Sequence, residues 1–492
     1  MYKKGDYILI CQILNKYHIR EVYMDAKKFD LGINNTEGEN VKPFGNSDRY
    51  GYMLGDLGNS LLFNLIGSYL LLFYTDVLGI GAAAVGTLMV VARIWDAIND
   101  PMMGVLVDRS KPNKNGKFRP YLMRAAIPVG LMAVLCFTVI PGISDSFKLP
   151  YAYITYIGFG MAYTAINIPY GSLASVMTSD PVERTSLSTF RSIGAILANL
   201  ILMGVAPKLV FADGGASAAG FLKAAVIFAV ISNICYFLAF KMTTERIQHN
   251  VNDESKEKVS LGKSVSMLFK NRALVGIMVA SFGLLLAMFL PQSLNPYLYK
   301  DYFGNANLVG PASLLSMIPS FLVIPFGGKL VAKYGKKEVT AAGFAIATIG
   351  YGLLFFLPIT NPYIFIAINC FAGIGTGLIN LLVWALVGDA IDYQEYITGK
   401  REEGIVYAAY SLVRKLSQAV VGGVSGFALG IIGYQSGAAQ QTAEVANGVK
   451  NIITAVPFFG VILGLLAMIF IYNLTKSRLE EVNNELKVRR SN

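Results

Sequence analysis

Long apolar stretches recur along almost the whole chain, and they constrain the fold more than any other feature. Each has about 20 residues, enough for a helix to cross the ~30 Å hydrocarbon core of a bilayer. Of the 492 residues, 54% are hydrophobic and 15% are charged, whereas soluble proteins carry roughly 25% charged residues. The sequence therefore predicts an all-α membrane protein with about twelve transmembrane helices. These segments lie near 50–76, 81–107, 119–141, 150–178, 187–210, 219–242, 272–298, 306–333, 338–358, 362–390, 402–434 and 449–475.

The loops between these segments are either basic or nearly free of basic residues. The net charge is +11, and much of the excess lies in "DRSKPNKNGKFRP", "GKKEV" and "TGKREEG", whereas "TDVLGIGA" and "FADGGASAAG" contain no Lys or Arg. Lys and Arg accumulate in cytoplasmic loops. We therefore expect a plasma-membrane protein with both termini in the cytoplasm, and no binding to nucleic acid.

The apolar segments fall into two groups of six with similar internal features. The stretch "GVLVDRSKPNKNGK" at 104–117 is echoed by "GKLVAKYGKK" at 328–337. Two such bundles, related by an axis along the membrane normal, correspond to the plan of major-facilitator transporters, whose substrate site lies between the bundles. The predicted divisions are an N-terminal extension 1–45, a first bundle 46–242, a cytoplasmic linker 243–271, a second bundle 272–475 and a tail 476–492.

Cysteine and histidine usage gives no support for an enzyme. The four cysteines have no paired spacing, and both histidines lie outside the apolar segments. This pattern argues against a disulfide framework or a zinc site. We expect no cofactor and no catalytic residue.

Two carboxylates lie inside the second apolar segment, in the stretch "ARIWDAIND". Asp96 and Asp100 are four residues apart, so a helix places them on one face, ~6 Å apart. Each costs about 3 kcal/mol at the centre of a bilayer, and intramembrane acids usually have a function. Two ionised carboxylates this close repel each other unless a proton or a cation joins them. We predict a coupling-cation site, with a structural ion pair to Arg93 or to a lysine as the alternative.

Lys415 is a second intramembrane charge, in the eleventh segment "SLVRKLSQAVVGG". A charge at this depth needs a partner, and the Asp96/Asp100 pair across the bundle interface can supply it. We predict that Lys415 is internal and coupled to that pair, with Arg93 as a second coupling residue. The alternative, most readily for Arg414, is that the side chain extends to the membrane interface.

The fourth and fifth segments carry a polar face. Tyr163, Thr164 and Asn167 share one side of a helix that Pro169 is expected to kink. Arg191 offers a fork of donors to sugar hydroxyls or to a carboxylate. The pattern favours a ligand site, although a hydrogen bond between helices also explains Asn167.

The stretch "DAIDYQEYITGKREEG" follows the tenth segment and carries charges of both signs. We predict an inner gate in which the acids Asp389, Asp392 and Glu403 pair with Lys400 and Arg401 when the inner mouth closes. A solvated loop is an equal alternative.

Several longer motifs carry a family resemblance. They are "FYTDVLGIGAAAVGTLMVVARIWDAINDPMMG" followed by "GKFRPYL", then "YGYMLGDLGN", "NIPYGSLAS" and "DYQEYITGKREEGIVY". Together they resemble the glycoside–pentoside–hexuronide:cation symporters, the melibiose permease family, from about Lys42 to the last helix. The resemblance implies a twelve-helix major-facilitator fold and sugar uptake driven by Na⁺, Li⁺ or H⁺.

The resemblance also implies roles for individual residues. Lys415 matches the lysine coupled to the cation site. The cation-binding residues implied are Asp96, Asp100, Asn99 and Thr164. The predicted substrate-binding residues are Asn59, Ser60, Tyr163, Asn167, Gly171, Arg191, Tyr410 and Ser411.

This chain departs from the melibiose carriers at three of these positions. Ser60 and Asn167 stand where those carriers have sugar-binding aspartates, and Gly171 stands where they have a tryptophan. Loss of two acids makes the pocket less negative, so an anionic hexuronide is less repelled and a neutral pentoside stays compatible. The wording of "NIPYGSLA" and "EYITGKREEG" is closer to β-glucuronide and β-xyloside carriers.

The expected partners are a sugar, a monovalent cation and the bilayer, with no obligate protein partner. Two alternatives remain open. One is a lysophospholipid-type transporter of the same fold, which needs a wide apolar cleft. The other is a sugar sensor that transports nothing, which usually carries a signalling domain.

Overall fold

The structure is a computed structural model that describes residues 42–212, 215–247, 271–399, 403–438 and 440–491. Apart from one β-bridge between Asn113 and Gly116, the regular secondary structure within these ranges is helical. Most of the predicted N-terminal extension and of the predicted linker lies outside the described residues.

Twelve long helices alternate in direction through the described chain, and a shorter one follows them. The first half contains α1 (Asn46–Val77), α2 (Ala82–Arg109), α3 (Arg119–Cys136), α4 (Asp145–Met177), α5 (Pro181–Val210) and α6 (Ala218–Met242). The second half contains α7 (Arg272–Tyr302), α8 (Val309–Tyr334), α9 (Lys336–Phe356), α10 (Pro362–Thr398), α11 (Glu403–Ile431) and α12 (Ala443–Ile471). The last helix is α13 (Lys476–Ser491).

Ten of these helices are long and apolar enough to cross a membrane by length and composition. The two long helices outside that set are α4, with 33 residues, and α11, with 29 residues. Both have spanning length, but α4 is rich in Tyr, Gly and Pro, and α11 contains Arg414 and Lys415. Two helices that carry predicted site residues, α4 and α11, are therefore absent from the set that composition alone identifies as membrane-spanning.

Helix starts are set by local capping. Asp180 caps α5 and Asn361 caps α10; their side-chain oxygens accept the backbone N–H of Val182 at 2.7 Å and of Tyr363 at 2.8 Å. Each cap is followed by a proline at the first helical position, where the missing N–H has no intrahelical partner to lose. These signals fix where the chain re-enters the bundle.

The two halves pack internally and then meet along equivalent helices. Within the halves, α1 packs on α5 and α6, and α7 packs on α11 and α12. Between the halves, α2 packs on α11, α8 packs on α5, and α1 meets α7. Exchanging the two halves converts the α2–α11 pair into the α8–α5 pair and leaves the α1–α7 pair unchanged, as the repeat in the sequence predicts.

The contacts between the halves lie toward one end of the bundle. We call the end where α1 begins the termini end, and the end where α1 finishes the opposite end. Near the opposite end, α2 and α11 cross so closely that a Cβ on Gly426 would lie 2.4 Å from the Cα of Gly86. A Cβ on Gly310 of α8 would lie 2.8 Å from the carbonyl oxygen of Met203 on α5. The halves are therefore held together at the opposite end.

The first helix of each half finishes at the opposite end in a π-helical turn. These turns are Phe73–Val77 in α1, with the sequence FYTDV, and Leu298–Tyr302 in α7, with the sequence LYKDY. Each carries a tyrosine in its second position and an aspartate in its fourth. A π-turn widens the helix by one residue and is frequent at functional sites.

The chain does not leave the bundle as an unstructured tail. Residues predicted as a tail form α13, which packs against α10 through Val482 and Leu486, both almost fully buried. Arg489 also donates to the carbonyl oxygen of Tyr396 in α10 at 3.0 Å.

Candidate transport site

Asp96 and Asp100 of α2 each have a basic partner. Arg93 Nη1 lies 3.0 Å from Asp96 Oδ2, one turn along the same helix. Lys415 Nζ lies 2.9 Å from Asp100 Oδ2, and Thr164 Oγ1 donates to Asp100 Oδ1 at 2.8 Å. The predicted contacts of Lys415 and Thr164 with this cluster are present, and so is the Arg93 pairing that the sequence left as the alternative.

The Asp100 cluster joins three helices and both halves of the molecule. Asp100 belongs to α2, Thr164 to α4 and Lys415 to α11. The side chains of Lys415 and Asp100 are 39% and 23% exposed. This lysine–aspartate pair is thus only partly enclosed by the protein.

The Asp96 carboxylate is enclosed more tightly on the side of α4. A Cβ on Gly160 would lie 2.7 Å from Asp96 Oδ1, so any larger residue at that position would displace the acid. Sequence reasoning missed Gly160. Asn99 is on the same helix, and its buried Nδ2 has no hydrogen-bond partner within the described chain; the structure does not bring it into contact with either acid.

A second charged pair lies between α1 and α5. Arg191 Nε donates to Asp56 Oδ1 at 2.8 Å, and Ser60 Oγ donates to Asp56 Oδ2 at 3.3 Å. Sequence reasoning predicted Arg191 and Ser60 but missed Asp56. Positions 60 and 167 lack the acids of the melibiose carriers, but Asp56 supplies a different carboxylate beside Arg191.

Asn59 faces away from this pair. Its Oδ1 accepts the hydroxyl of Tyr236 on α6 at 3.0 Å, and the side chain is buried in the packing of the first half. This geometry contradicts a substrate-binding role, and we exclude Asn59 from the site. On α4, Tyr163 packs against Phe63 and Phe159 with ring centroids 5.4 and 5.8 Å apart.

The remaining predicted substrate residues lie on α4 and α11. Asn167 is half-buried, and a Cβ on Gly171 would meet open space. Tyr410 is buried with its ring edge-on to Trp384, at a centroid distance of 4.9 Å. Ser411 is exposed one turn before Lys415 and so shares its helix face. Trp384, half-exposed on α10, was not predicted.

The inner-gate pairing stays a prediction, but one of its acids has a partner that was not predicted. Lys336, the first residue of α9, lies 2.7 and 2.9 Å from the two carboxylate oxygens of Asp389. Both residues belong to the second half, so this pair does not bridge the halves. Lys400 and Arg401 and the side chain of Glu403 lie outside the described residues, and Asp392 has an interaction of its own.

A polar seam joins the halves at the opposite end, and it was not predicted. Lys300 forms ion pairs with Asp76 and, at 3.3 Å, with Asp301. The hydroxyl of Tyr434 lies 2.9 Å from Asp76 Oδ1 and 3.2 Å from Asp301 Oδ2. The seam consists of Thr75, Asp76, Tyr297, Lys300, Asp301 and Tyr434. It closes the opposite end with side chains from both π-turns.

A cavity of about 790 Å³ lies at the termini end of the first half, away from these pairs. Its wall includes Glu245, whose carboxylate accepts the backbone N–H groups of Lys117, Phe118 and Arg119 at 2.7 to 2.8 Å. These bonds fasten the α2–α3 loop to the end of α6. Among the described residues, no group of three or more His, Cys, Asp or Glu side chains suits a metal ion.

Comparison with known proteins identifies the family. The sequence profile of the family described as MFS/sugar transport protein matches residues 51–476. The chain is 34% identical over 450 residues to an uncharacterized symporter of Bacillus subtilis, covering 91% of this chain and 96% of that protein. It is 33% identical over 452 residues to the glucuronide carrier protein homolog of Escherichia coli, covering 89% and 95%. It is 34% identical over 438 residues to the isoprimeverose transporter of Lactiplantibacillus pentosus, covering 88% and 89%.

A solved structure shares the fold. A bacterial homologue of the human lysosomal transporter Spinster, in an inward-facing and unoccupied conformation, matches with a TM-score of 0.66 at 12% identity, covering 88% of this chain and 98% of that one. The family match and the similar transporters show that the chain is a multi-pass membrane transporter of the major-facilitator type rather than an enzyme. The chain belongs to the MFS/sugar transport protein family, which confirms the predicted fold and family resemblance.

Proposed function

We propose that the protein is a secondary active symporter that couples the entry of a monovalent cation to the uptake of a glycoside, pentoside or hexuronide. The observation that carries this proposal is the Lys415–Asp100 pair, which joins the two halves, is held by Thr164 and is partly exposed. A pair of this kind links ion binding to the relative position of the halves. The similarity to an uncharacterized symporter of Bacillus subtilis supports symport.

Asp96 and Asp100 form the cation site in this proposal. Each has a basic partner in the present conformation, so an entering Na⁺ or Li⁺ takes the place of the Lys415 ammonium beside Asp100. A proton acts in the same way by neutralising the carboxylate, which removes the attraction for Lys415. The released lysine then loses its tie to the first half, which weakens the contact between the halves, and only bound cation and bound sugar together permit the halves to move.

The sugar binds between the halves, beside Arg191 and the polar face of α4. Arg191, Ser60 and Asn167 supply donors and acceptors for hydroxyls, and Tyr163 supplies an aromatic surface. The best candidates are β-glucuronides and β-xylosides or short oligosaccharides. The similarity to a glucuronide carrier homolog and to an isoprimeverose transporter supports this substrate class.

Transport proceeds by alternating access in the plasma membrane. The basic loops favour a cytoplasmic termini end, and with that orientation the seam closes the outer mouth. Neither cation nor sugar alone permits the protein to change between its outward-open and inward-open states, because cation and sugar raise each other's affinity reciprocally. Asp389 and Asp392 remain candidate components of the inner gate.

Uptake into membrane vesicles tests the proposal. Labelled xyloside and glucuronide are offered with and without an inward Na⁺, Li⁺ or H⁺ gradient, and one gradient is expected to drive accumulation. Asp96→Asn with Asp100→Asn should abolish it. Asp145→Asn is the control, since Asp145 is an exposed acid at the start of α4. Unaltered accumulation in the double variant would refute the cation site.

A further inference from the structure

We propose that Asp56 is a positioning residue that sets the guanidinium of Arg191 for sugar hydroxyls, an inference that rests on the proposed transport of sugars. The Asp56 carboxylate accepts from Arg191 Nε at 2.8 Å. The Asp56 side chain is 8% exposed, whereas that of Arg191 is 44% exposed. Arg191 is therefore held from the buried side and open on the other.

Tyr170 restrains the same guanidinium from its face. Arg191 Cζ lies 5.4 Å from the centroid of the Tyr170 ring. The Tyr170 hydroxyl donates to the carbonyl oxygen of Tyr52 at 2.7 Å, and the two rings stack at 4.6 Å. Because Tyr170 is almost fully buried, it is a fixed surface. The hydrogen bond to Asp56 fixes the rotation of the guanidinium within its own plane. The Tyr170 ring fixes the orientation of that plane.

The close approach of α1 and α5 makes this positioning of Arg191 possible. A Cβ on Gly194, one turn after Arg191, would lie 2.4 Å from the carbonyl oxygen of Met53 on α1. With any side chain at that position the helices would separate, and the short Asp56 side chain would no longer reach Nε. The positioning of Arg191 therefore depends on Gly194 of α5 as well as on Asp56 of α1.

This arrangement prepares Arg191 for uncharged hydroxyls. A guanidinium carries five N–H donors in a rigid fork, and Asp56 uses the one on Nε. The terminal nitrogens keep the remaining donors at an angle that Asp56 and Tyr170 determine. Groups held in their binding geometry before the ligand arrives bind it more tightly, because no ordering is required on binding. Without Asp56, Arg191 has no carboxylate to orient it.

A double-mutant cycle tests the proposal on the full-length protein in vesicles, with p-nitrophenyl β-D-xyloside and p-nitrophenyl β-D-glucuronide as probes. Asp56→Ala should raise the KM of the transported probe about 30-fold with little change in maximal rate. In an Arg191→Gln background the same change should have no further effect, because Asp56 acts through Arg191. A purely structural role predicts additive losses and a lower unfolding temperature instead.

The control is Asn64→Ala, which removes another hydrogen bond between the same two helices, from Asn64 Nδ2 to Asn199 Oδ1 at 3.1 Å. It should change KM by less than about 3-fold. Asp56→Asn, which keeps an acceptor oxygen for Nε–H, should lie between Asp56→Ala and the unaltered protein, and it serves where Asp56→Ala does not fold. An additive cycle, or an unchanged KM in the Asp56 variants, would overturn the positioning role. Failure of the unaltered protein to accumulate either probe would instead overturn the proposed function.

Discussion

Within the part of the chain that the structure describes, two lysine–aspartate contacts cross from the second half to the first, and they differ in their surroundings. In the site, Lys415 and Asp100 are 39% and 23% exposed, with Thr164 as the further partner of the acid. In the seam, Lys300 and Asp76 are 15% and 8% exposed, and Asp301 and Tyr434 complete the network. The first pair is therefore partly exposed, whereas the second is largely enclosed by protein.

The difference assigns the two pairs distinct energetic roles. Exposed ion pairs contribute about 0–1 kcal/mol, so a competing cation displaces one at little cost. Removing one partner of a buried pair costs about 3–5 kcal/mol, because a charge is left without compensation. In the proposed mechanism the site pair is thus the sensor of the cation, and the seam is the contact that holds the opposite end closed.

The largest effect is expected from Lys415→Gln. Without the lysine, Asp100 no longer ties the halves together in the empty state, and cation binding releases nothing. Ion-driven accumulation of sugar in vesicles should fall about 100-fold. Lys208→Gln is the control, since Lys208 is exposed at the end of α5. Full accumulation of sugar in the Lys415→Gln variant would show that the Lys415–Asp100 pair is not the sensor of the cation.

A smaller effect is expected from Lys300→Ala in the seam. Two carboxylates then face each other without a cation, and the closed opposite end loses stability. Ile80→Cys, buried beside the seam, should react about 10-fold faster with a membrane-impermeant maleimide, in a background in which the four native cysteines are replaced. Equal labelling rates with Lys300→Ala and with the control Lys208→Ala would contradict the closing role.

Gly426→Ala sharpens the comparison by changing packing without changing charge. The added methyl group meets the backbone of Gly86 at the crossing of α2 and α11, so the opposite end should open slightly. We expect the Ile80→Cys labelling rate to rise about 3-fold. Gly204→Ala is the matched control, because a Cβ there meets open space. An unchanged labelling rate in Gly426→Ala would show that the crossing of α2 and α11 accommodates the added methyl group without opening.

The smallest effect is expected at the molecular surface. Arg478 and Glu481 form an ion pair on α13 with side chains 40% and 56% exposed, and it does not join the halves. Arg478→Gln should leave both uptake and the unfolding temperature unchanged within error. A measurable loss of uptake or of unfolding temperature in Arg478→Gln would show that the exposure of an ion pair does not by itself determine how much the pair contributes.

The sequence predicts the fold well because hydrophobic length is a local property. All twelve predicted segments coincide with α1 to α12, although α4 and α11 are too polar to be found by composition alone. The same locality explains the agreement at Asp96, Asp100 and Lys415. Charges inside apolar segments are conspicuous in the sequence, and few partners exist for them.

Contacts between distant segments are harder to predict from one sequence. Asp389 was paired with basic residues that follow it closely, but its partner Lys336 precedes it by 53 residues. Asp56 lies in the quoted stretch "YGYMLGDLGN", yet its pairing with Arg191 depends on how closely α5 approaches α1. Asn59 was assigned to the wrong side of α1, because helix rotation is fixed by packing against α6.

The matching π-turns at the ends of α1 and α7 have a consequence for symmetry. Asp76 and Asp301 occupy the same position in the two turns, while Thr75 in one turn corresponds to Lys300 in the other. Two identical halves would bring two negative charges together at the central axis with nothing between them. A single cationic side chain in one copy removes that repulsion, so the opposite end can close only because the duplicated halves are unequal there.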